Sequence, residues 1–265
     1  MINLKDYWVL VTGASSGLGE SIAFELASRY QANLVLVARR EEKLEALKNK
    51  IEEAADVEIK LISADLSEAK QIDEVIKECL NLKNFYGAVL NAGMTYLGKY
   101  VKQPLDSQQS IIQLNIQSSV QLTDAFVKHF ELSGDTGRLM VISSLAAKVP
   151  APYQSIYSGT KAFLTNFYHS LKHELRNKKL KLSVFSPGGI KTEMTDADGF
   201  QDMEKFLMPV NEAAALAVTT FIKGSHDFIP GIGNRIGIGA LSLFPTRIFS
   251  KVMGGKYLKS IEKNK

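Results

Sequence analysis

The amino-acid sequence predicts an α/β fold, a doubly wound parallel sheet between two helical layers, and three observations carry that prediction. Apolar runs recur at Tyr7 to Val11, Leu34 to Ala38, Val57 to Ile62, Gly87 to Leu90, Arg138 to Ser143 and Leu180 to Ser186. Helical stretches separate them, as parallel strands require, because each strand must return through a crossover before the next can pair beside it. The first run leads into Thr12-Gly13-Ala14-Ser15-Ser16-Gly17-Leu18-Gly19, after which Ile22, Ala23, Leu26 and Ala27 recur at helical spacing. Strand, glycine turn and helix in that order open a Rossmann-type, three-layer α/β/α architecture.

The chain has 265 residues, 45% of them hydrophobic, enough to bury a substantial core within one domain spanning 1–265. No internal repeat, low-complexity block or Pro/Ser-rich linker divides it. Cys79 is the only cysteine, so neither an intramolecular disulfide nor a cysteine-based zinc site is available. The first strand is expected by about residue 7, which leaves no room for a removable leader, and no uninterrupted apolar run of roughly 18 residues is present to span a bilayer. The expectation is a cytoplasmic protein, or one peripheral to a membrane.

Net charge is +4, yet Arg247, Lys251, Lys256, Lys259, Lys263 and Lys265 face only Glu262 in the final stretch. The remainder is close to neutral, which argues against a nucleic-acid surface spread over the fold.

Glycines at 13, 17 and 19 permit tight backbone geometry, and the free N–H groups and positive end of the following helix favour a pyrophosphate. The spacing is GxxxGxG rather than the GxGxxG dinucleotide fingerprint, so the match is to a variant. Ser15, Ser16 and Leu18 complete the turn. Further along, Tyr157 and Lys161 stand four residues apart and share a helix face. A phenol has a reference pKa of about 10, and an adjacent ammonium favours its ionised form, so the pair suits general acid and base work. Ser144 adds a hydroxyl able to hold a carbonyl oxygen.

On these residues the chain resembles the short-chain dehydrogenase/reductase family over nearly its whole length. The TGxxxGxG pattern stands at Thr12 to Gly19, the NAG segment at Asn91-Ala92-Gly93, the helical asparagine at Asn115, the serine at Ser144, YxxxK at Tyr157 to Lys161, and PG at Pro187-Gly188. The family separation from the tyrosine favours Ser144 over Ser143 as the catalytic serine. Leu90 departs from the second asparagine that many members carry. The resemblance implies that Tyr157 passes a proton to or from the substrate oxygen, that Lys161 holds the nicotinamide ribose and lowers the pKa of Tyr157, and that Ser144 binds the substrate oxygen. It also implies that Asn115 anchors a water relay to Lys161; an ordinary backbone-bonding role is the plain alternative.

The second strand ends in Arg39-Arg40, where an acidic residue would bind the free 2'-hydroxyl of NAD and an arginine pairs with a 2'-phosphate. NADP(H) is therefore the expected cofactor, with Arg39 the main phosphate contact and Arg40 accessory. Both arginines could instead simply start the charged helix Glu41-Glu42-Lys43. Asp65-Leu66 follows the third strand, where the family's aspartate approaches adenine; Asp65 equally suits the N-cap of a helix starting near Ser67 or Glu68. Pro187, Gly188, Ile190 and Thr192 leave the sixth strand at the nicotinamide end, and Thr192 matches the threonine that contacts the carboxamide.

Met194, Phe200, Met203, Phe206, Leu207 and Met208 suggest a substrate lid over about 189–210. His169 and His173 have metal-compatible i, i+4 spacing without a third partner in sequence, so no metal is expected. Glycines 231, 233, 237 and 239 read as a flexible connection. Beyond them, Phe244, Ile248, Phe249, Val252 and Met253 fall on one side of a basic amphipathic tail, about 240–265, with a helix starting near Pro245. That helix could pack on the protein itself, join a subunit contact or lie on anionic lipid.

The reading is an NADP(H)-dependent oxidoreductase moving a hydride between nicotinamide and a carbonyl or secondary alcohol of an apolar small molecule, such as an acyl ketone, steroid or retinoid. By analogy it forms a homodimer or homotetramer. The rival from another class is a dinucleotide-sensing regulatory or binding protein with little catalytic role.

Overall fold

The computed structural model describes residues 2–192, 207–241, 250, 254–255 and 257–258. Strand β1 (Trp8–Thr12) leads to α1 (Gly17–Tyr30), β2 (Asn33–Ala38), α2 (Glu41–Glu52), β3 (Ile59–Ser63), α3 (Ala69–Leu80) and β4 (Phe85–Leu90). Helix α4 (Leu105–Ile112), a π-helical turn at Gln113–Gln117 and α5 (Ser118–Ser133) then run on continuously, and a short connection leads to β5 (Gly137–Ile142). The order closes with α6 (Ser155–Glu174), β6 (Leu180–Phe185), α7 (Val210–Lys223), β7 (Asp227–Phe228) and α8 (Ile232–Leu241).

The seven strands are all parallel, in the order β3-β2-β1-β4-β5-β6-β7. Every residue of β2 and β4 is buried, because helices cover both faces and leave no strand side for water. On one face Ile22 and Leu26 of α1 pack in a cluster with Val218 and Phe221 of α7. On the other, Phe126 and Phe130 of α5 join Leu164 and Tyr168 of α6. The Tyr168 hydroxyl meets Thr123 Oγ1 at 2.9 Å, which satisfies the one polar atom of that ring inside the core. Strand order reverses between β1 and β4, and their carboxyl ends open the crevice where ligands bind in such sheets.

Several boundaries differ from expectation for local reasons. Strand β4 begins at Phe85, in register with Trp8. Strand β3 begins at Ile59, after Glu58, whose N–H donates to the Asn33 side chain at 2.9 Å. The two residues of β7 pair with Val184 and Phe185 and are too few to leave a period in sequence.

The connection expected at Gly231, Gly233, Gly237 and Gly239 is largely helix. Gly231, at φ +85°, makes the entry turn, and the other three lie within α8. Glycine costs about 1 kcal/mol against alanine in a helix, so local propensity misleads here. A local bond and a tertiary contact work against it: Asn234 Nδ2 donates to Pro230 O, four residues back, at 2.9 Å and sits against Gly188.

Of the expected lid, 193–206 lies outside the described residues. Its flanks are tied: Ile190 bridges Met208 in parallel, Lys191 N donates to Met208 O at 3.1 Å, and Met208 N donates to Gly189 O at 2.9 Å. The expected tail helix near Pro245, with Phe244, Ile248, Phe249, Val252 and Met253, also lies outside the described residues. Among those described, no helix is long and apolar enough to cross a membrane.

Candidate active site

The carboxyl ends of β1 and β4 are bound together before any ligand is considered. Thr12 Oγ1 accepts from Asn91 N and Ala92 N, each at 3.0 Å, and Asn91 Nδ2 donates to Thr12 O and Gly13 O at 3.1 and 3.2 Å. A Cβ on Gly13 would lie 2.9 Å from Ala92 Cα, and one on Gly19 would lie 2.2 Å from Gly13 O. The turn therefore closes only with bare backbone, and it delivers the free N–H groups of α1 to the crevice. Ser16 occupies the N-cap of α1 without a side-chain bond to the helix end. Its hydroxyl instead accepts from Arg40 Nη2 at 2.8 Å, and Arg40 Nε and Nη2 reach Ser15 Oγ at 3.3 and 3.1 Å.

Arg39 turns the other way. Its side chain is 70% exposed and pairs with Asp65 at 3.7 Å. The residue expected to be accessory is thus the one that stands on the glycine turn. Asp65 Oδ1 accepts from Ser67 N and Ser67 Oγ at 2.9 and 2.7 Å, while the N-cap of α3 is Glu68. The aspartate shapes the approach to the helix rather than capping it. Burial alone would raise its carboxyl, but the Ser67 hydrogen bonds and the Arg39 guanidinium outweigh burial and hold it below the usual range.

At the other end of the crevice, β5 ends at Ile142 and two serines follow. Ser143 is buried, its Oγ donating to Lys161 O at 3.0 Å and meeting Thr165 Oγ1 at 2.8 Å. Ser144 Oγ accepts from Ala146 N at 3.1 Å and hydrogen-bonds the Tyr157 phenol. Ser158 Oγ donates to Ala146 O at 2.7 Å, which fastens this loop to α6. Lys161 Nζ donates to Ile142 O at 2.8 Å and stands 5.7 Å over the Tyr157 ring. One cavity of about 640 Å³ joins the two ends. Ser15, Arg40 and Asp65 line it on one side and Ser144, Tyr157 and Lys161 on the other. Of the expected site residues only Gly19 and Asn115 do not face it.

A profile of the short chain dehydrogenase family matches residues 7–202. The chain belongs to that family. It is 38% identical over 251 residues to human 17-beta-hydroxysteroid dehydrogenase type 3, covering 91% of this chain and 76% of the relative. A short-chain dehydrogenase from Sphingobium yanoikuyae, solved in complex with NADPH, superposes with a TM-score of 0.81 at 29% identity, covering 89% of this chain and 92% of that one. The bulky-bulky ketone specific alcohol dehydrogenase from Comamonas testosteroni superposes with a TM-score of 0.77 at 28% identity, covering 89% and 93%. This dehydrogenase is accordingly an oxidoreductase of hydroxyl and carbonyl groups.

Burial raises the Tyr157 phenol in this dehydrogenase, and the Ser144 hydrogen bond only partly offsets it. The expected lowering by Lys161 is not found, because burial dominates and the ammonium lies over the ring face while donating to Ile142 O. Burial also acts on Lys161, 5% exposed, and pushes it down to about 8. Gly93 makes room for it: a Cβ there would lie 3.4 Å from Nζ and 3.2 Å from Asn115 Oδ1.

Asn115 is fully buried in the π-helical turn. Its Oδ1 accepts from Met94 N at 2.9 Å, and its Nδ2 donates to Met94 O and Thr160 Oγ1, each at 3.0 Å. Among the described residues no group of three His, Cys, Asp or Glu is placed to hold a metal; His169 faces Asp227 at 3.5 Å, and its ring lies 4.9 Å from that of His226, tilted by 51°. Sequence reasoning missed Thr160, which carries no motif of its own, and Gly233, Gly237 and Tyr257, which line the cavity from distant segments.

Proposed function

We propose that this protein is an NADPH-dependent oxidoreductase interconverting the ketone and secondary alcohol of a bulky apolar substrate of steroid type. The observation that carries the reading is the meeting, in one cavity, of the Ser144 and Tyr157 hydroxyls and the Lys161 amine with the glycine turn of α1.

The residues fit a phosphorylated dinucleotide. The bare turn and the N-terminus of α1 suit a pyrophosphate, and a guanidinium held on Ser15 and Ser16 suits a 2'-phosphate. The Sphingobium yanoikuyae relative in complex with NADPH supports the same choice. When bound, the cofactor supplies the hydride. Tyr157, kept protonated by burial, gives its proton to the carbonyl oxygen in reduction and takes it back in oxidation. Ser144, held by Ala146 N, hydrogen-bonds the substrate oxygen where negative charge develops. Lys161, 5.7 Å over the Tyr157 ring, would hold the nicotinamide ribose of the bound cofactor. Asn115 acts on the site through Met94 and Thr160.

Steroid-like bulk is supported by the relationship to 17-beta-hydroxysteroid dehydrogenase type 3 and by apolar lining from Leu145, Val149, Leu207 and Ile238. Exposed Leu105, Ile112 and Phe163 on α4 and α6 support a homo-oligomer. Exposed Ile232 and Ile236 on α8 support a peripheral membrane contact, which liposome co-sedimentation tests.

The deciding experiment follows NADPH oxidation with a 17-ketosteroid and a small ketone, for the natural protein and for Tyr157→Phe. The expected result is turnover of the steroid, lost by about 100-fold or more in the variant with NADPH affinity retained. A folded, NADPH-saturated protein that turns over neither ketone would support a dinucleotide sensor instead.

A further inference from the structure

The C-terminal segment adds a second phenol to the cavity. Tyr257 is 9% exposed and lines the same cavity as Ser144, Tyr157 and Lys161. Its anchorage is visible just upstream: Gly254 rests on the loop before α6, where a Cβ would make ordinary van der Waals contact with Pro152 Cβ at 3.4 Å and Tyr153 Cε2 at 4.0 Å. That loop joins Ser144 to Tyr157, so Gly254 rests on the span that sets the reacting groups. Burial raises the Tyr257 phenol, and the negative charge of an ionised Tyr157 raises it further. The two rings are therefore electrostatic neighbours, and Tyr257 stays neutral while Tyr157 exchanges its proton.

We propose that Tyr257 is a specificity-determining residue, placed by the C-terminal segment at the Tyr157 end of the cavity so that its ring packs against the apolar body of a bulky ketone. The proposal rests on the oxidoreductase reading above and adds that the substrate wall is completed from beyond α8. A buried aromatic ring contributes a large, rigid apolar contact. A small ketone, held only at its reacting carbonyl, has no use for it.

The test uses the full chain with Tyr257→Ala, Tyr257→Leu and Tyr257→Phe. It reads the Kd of a 17-ketosteroid in the presence of NADP+, where no turnover occurs, together with steady-state kinetics for the steroid and for cyclohexanone. Tyr257→Ala is expected to raise steroid Kd and KM by about tenfold, the equivalent of 1.4 kcal/mol. Cyclohexanone kcat/KM should stay within about twofold, and Tyr257→Phe should keep the natural steroid Kd. An unchanged steroid Kd in Tyr257→Ala, or equal losses for both ketones, would overturn the proposal. If Tyr257→Ala does not fold, read by circular dichroism, Tyr257→Leu decides by the same criteria. A natural protein that binds the steroid without reducing it counts against the oxidoreductase reading alone, and the Kd comparison still decides Tyr257. No steroid binding at all overturns it.

Discussion

The side-chain amide of Asn115 donates to the hydroxyl of Thr160 at 3.0 Å, and that hydroxyl donates onward to the backbone carbonyl of Tyr157 at 2.7 Å. The π-helical turn is thereby joined to α6 one residue before Lys161. Asn115 has no other outlet for this N–H, since its remaining side-chain bonds go to Met94.

Thr160→Val keeps the shape of the side chain and removes the acceptor from a fully buried amide. The expected cost is about 1–3 kcal/mol of stability, read by denaturant unfolding, with a fall in kcat and unchanged NADPH affinity. Thr160→Ser should restore both quantities. Equal stability of Thr160→Val and the natural protein would remove the clamp from the account.

Lys161 gives a pH prediction of definite sign. Its folded value is down to about 8 from 10.5, so between those values the unfolded chain holds a proton that the folded one lacks. Stability from this group therefore rises with pH across that window. Thermal melts of the cofactor-free protein should show the natural chain gaining on Lys161→Met as pH climbs from 8 to 10. A constant difference over that range would mean that the ammonium is not strained by burial.

Arg40, rather than Arg39, is expected to dominate the choice of dinucleotide, because only Arg40 stands on Ser15 and Ser16. A charged hydrogen bond is worth about 1.5–3 kcal/mol, so Arg40→Ala should weaken NADPH tenfold or more by fluorescence titration. NADH affinity should move by less than about twofold. A larger loss in Arg39→Ala would return the main role to Arg39.

These assignments differ in how far they could be read in advance. Strands β2 and β4 were legible because burial on both faces demands unbroken apolar runs, and the glycine turn because Gly13 and Gly19 tolerate no Cβ. Ser144 and Tyr157 were legible through spacing. The divergence of Arg40 and Arg39 was not legible, because adjacent side chains turn according to their neighbours, Ser16 for one and Asp65 for the other. The shift of Tyr157 needed the depth of its pocket, which a helix-face argument omits. Tyr257 reaches the cavity from a part of the chain whose Gly254 rests on Pro152, and α8 is helical against its own glycine content.

Gly237 tests the size of the substrate space directly. It lines the cavity, and a Cβ there would meet nothing within 4 Å. Gly237→Ala should raise thermal stability slightly, by about 0.5–1 kcal/mol for a helical site, with steroid turnover little changed. Gly237→Leu should raise the steroid KM severalfold while sparing cyclohexanone. Equal effects on both ketones would mean that the substrate does not reach α8.

The clasp formed by Ile190 and Met208 has a bearing on how such proteins diversify. Because Lys191 N and Met208 O, and Met208 N and Gly189 O, close the chain on itself at the mouth of the crevice, whatever lies between them begins and ends at one fixed staple. Stretches of different length and chemistry can be exchanged there by grafting, with the sheet and the proton-transfer groups left undisturbed. New preferences can arise at that position without renegotiating the core.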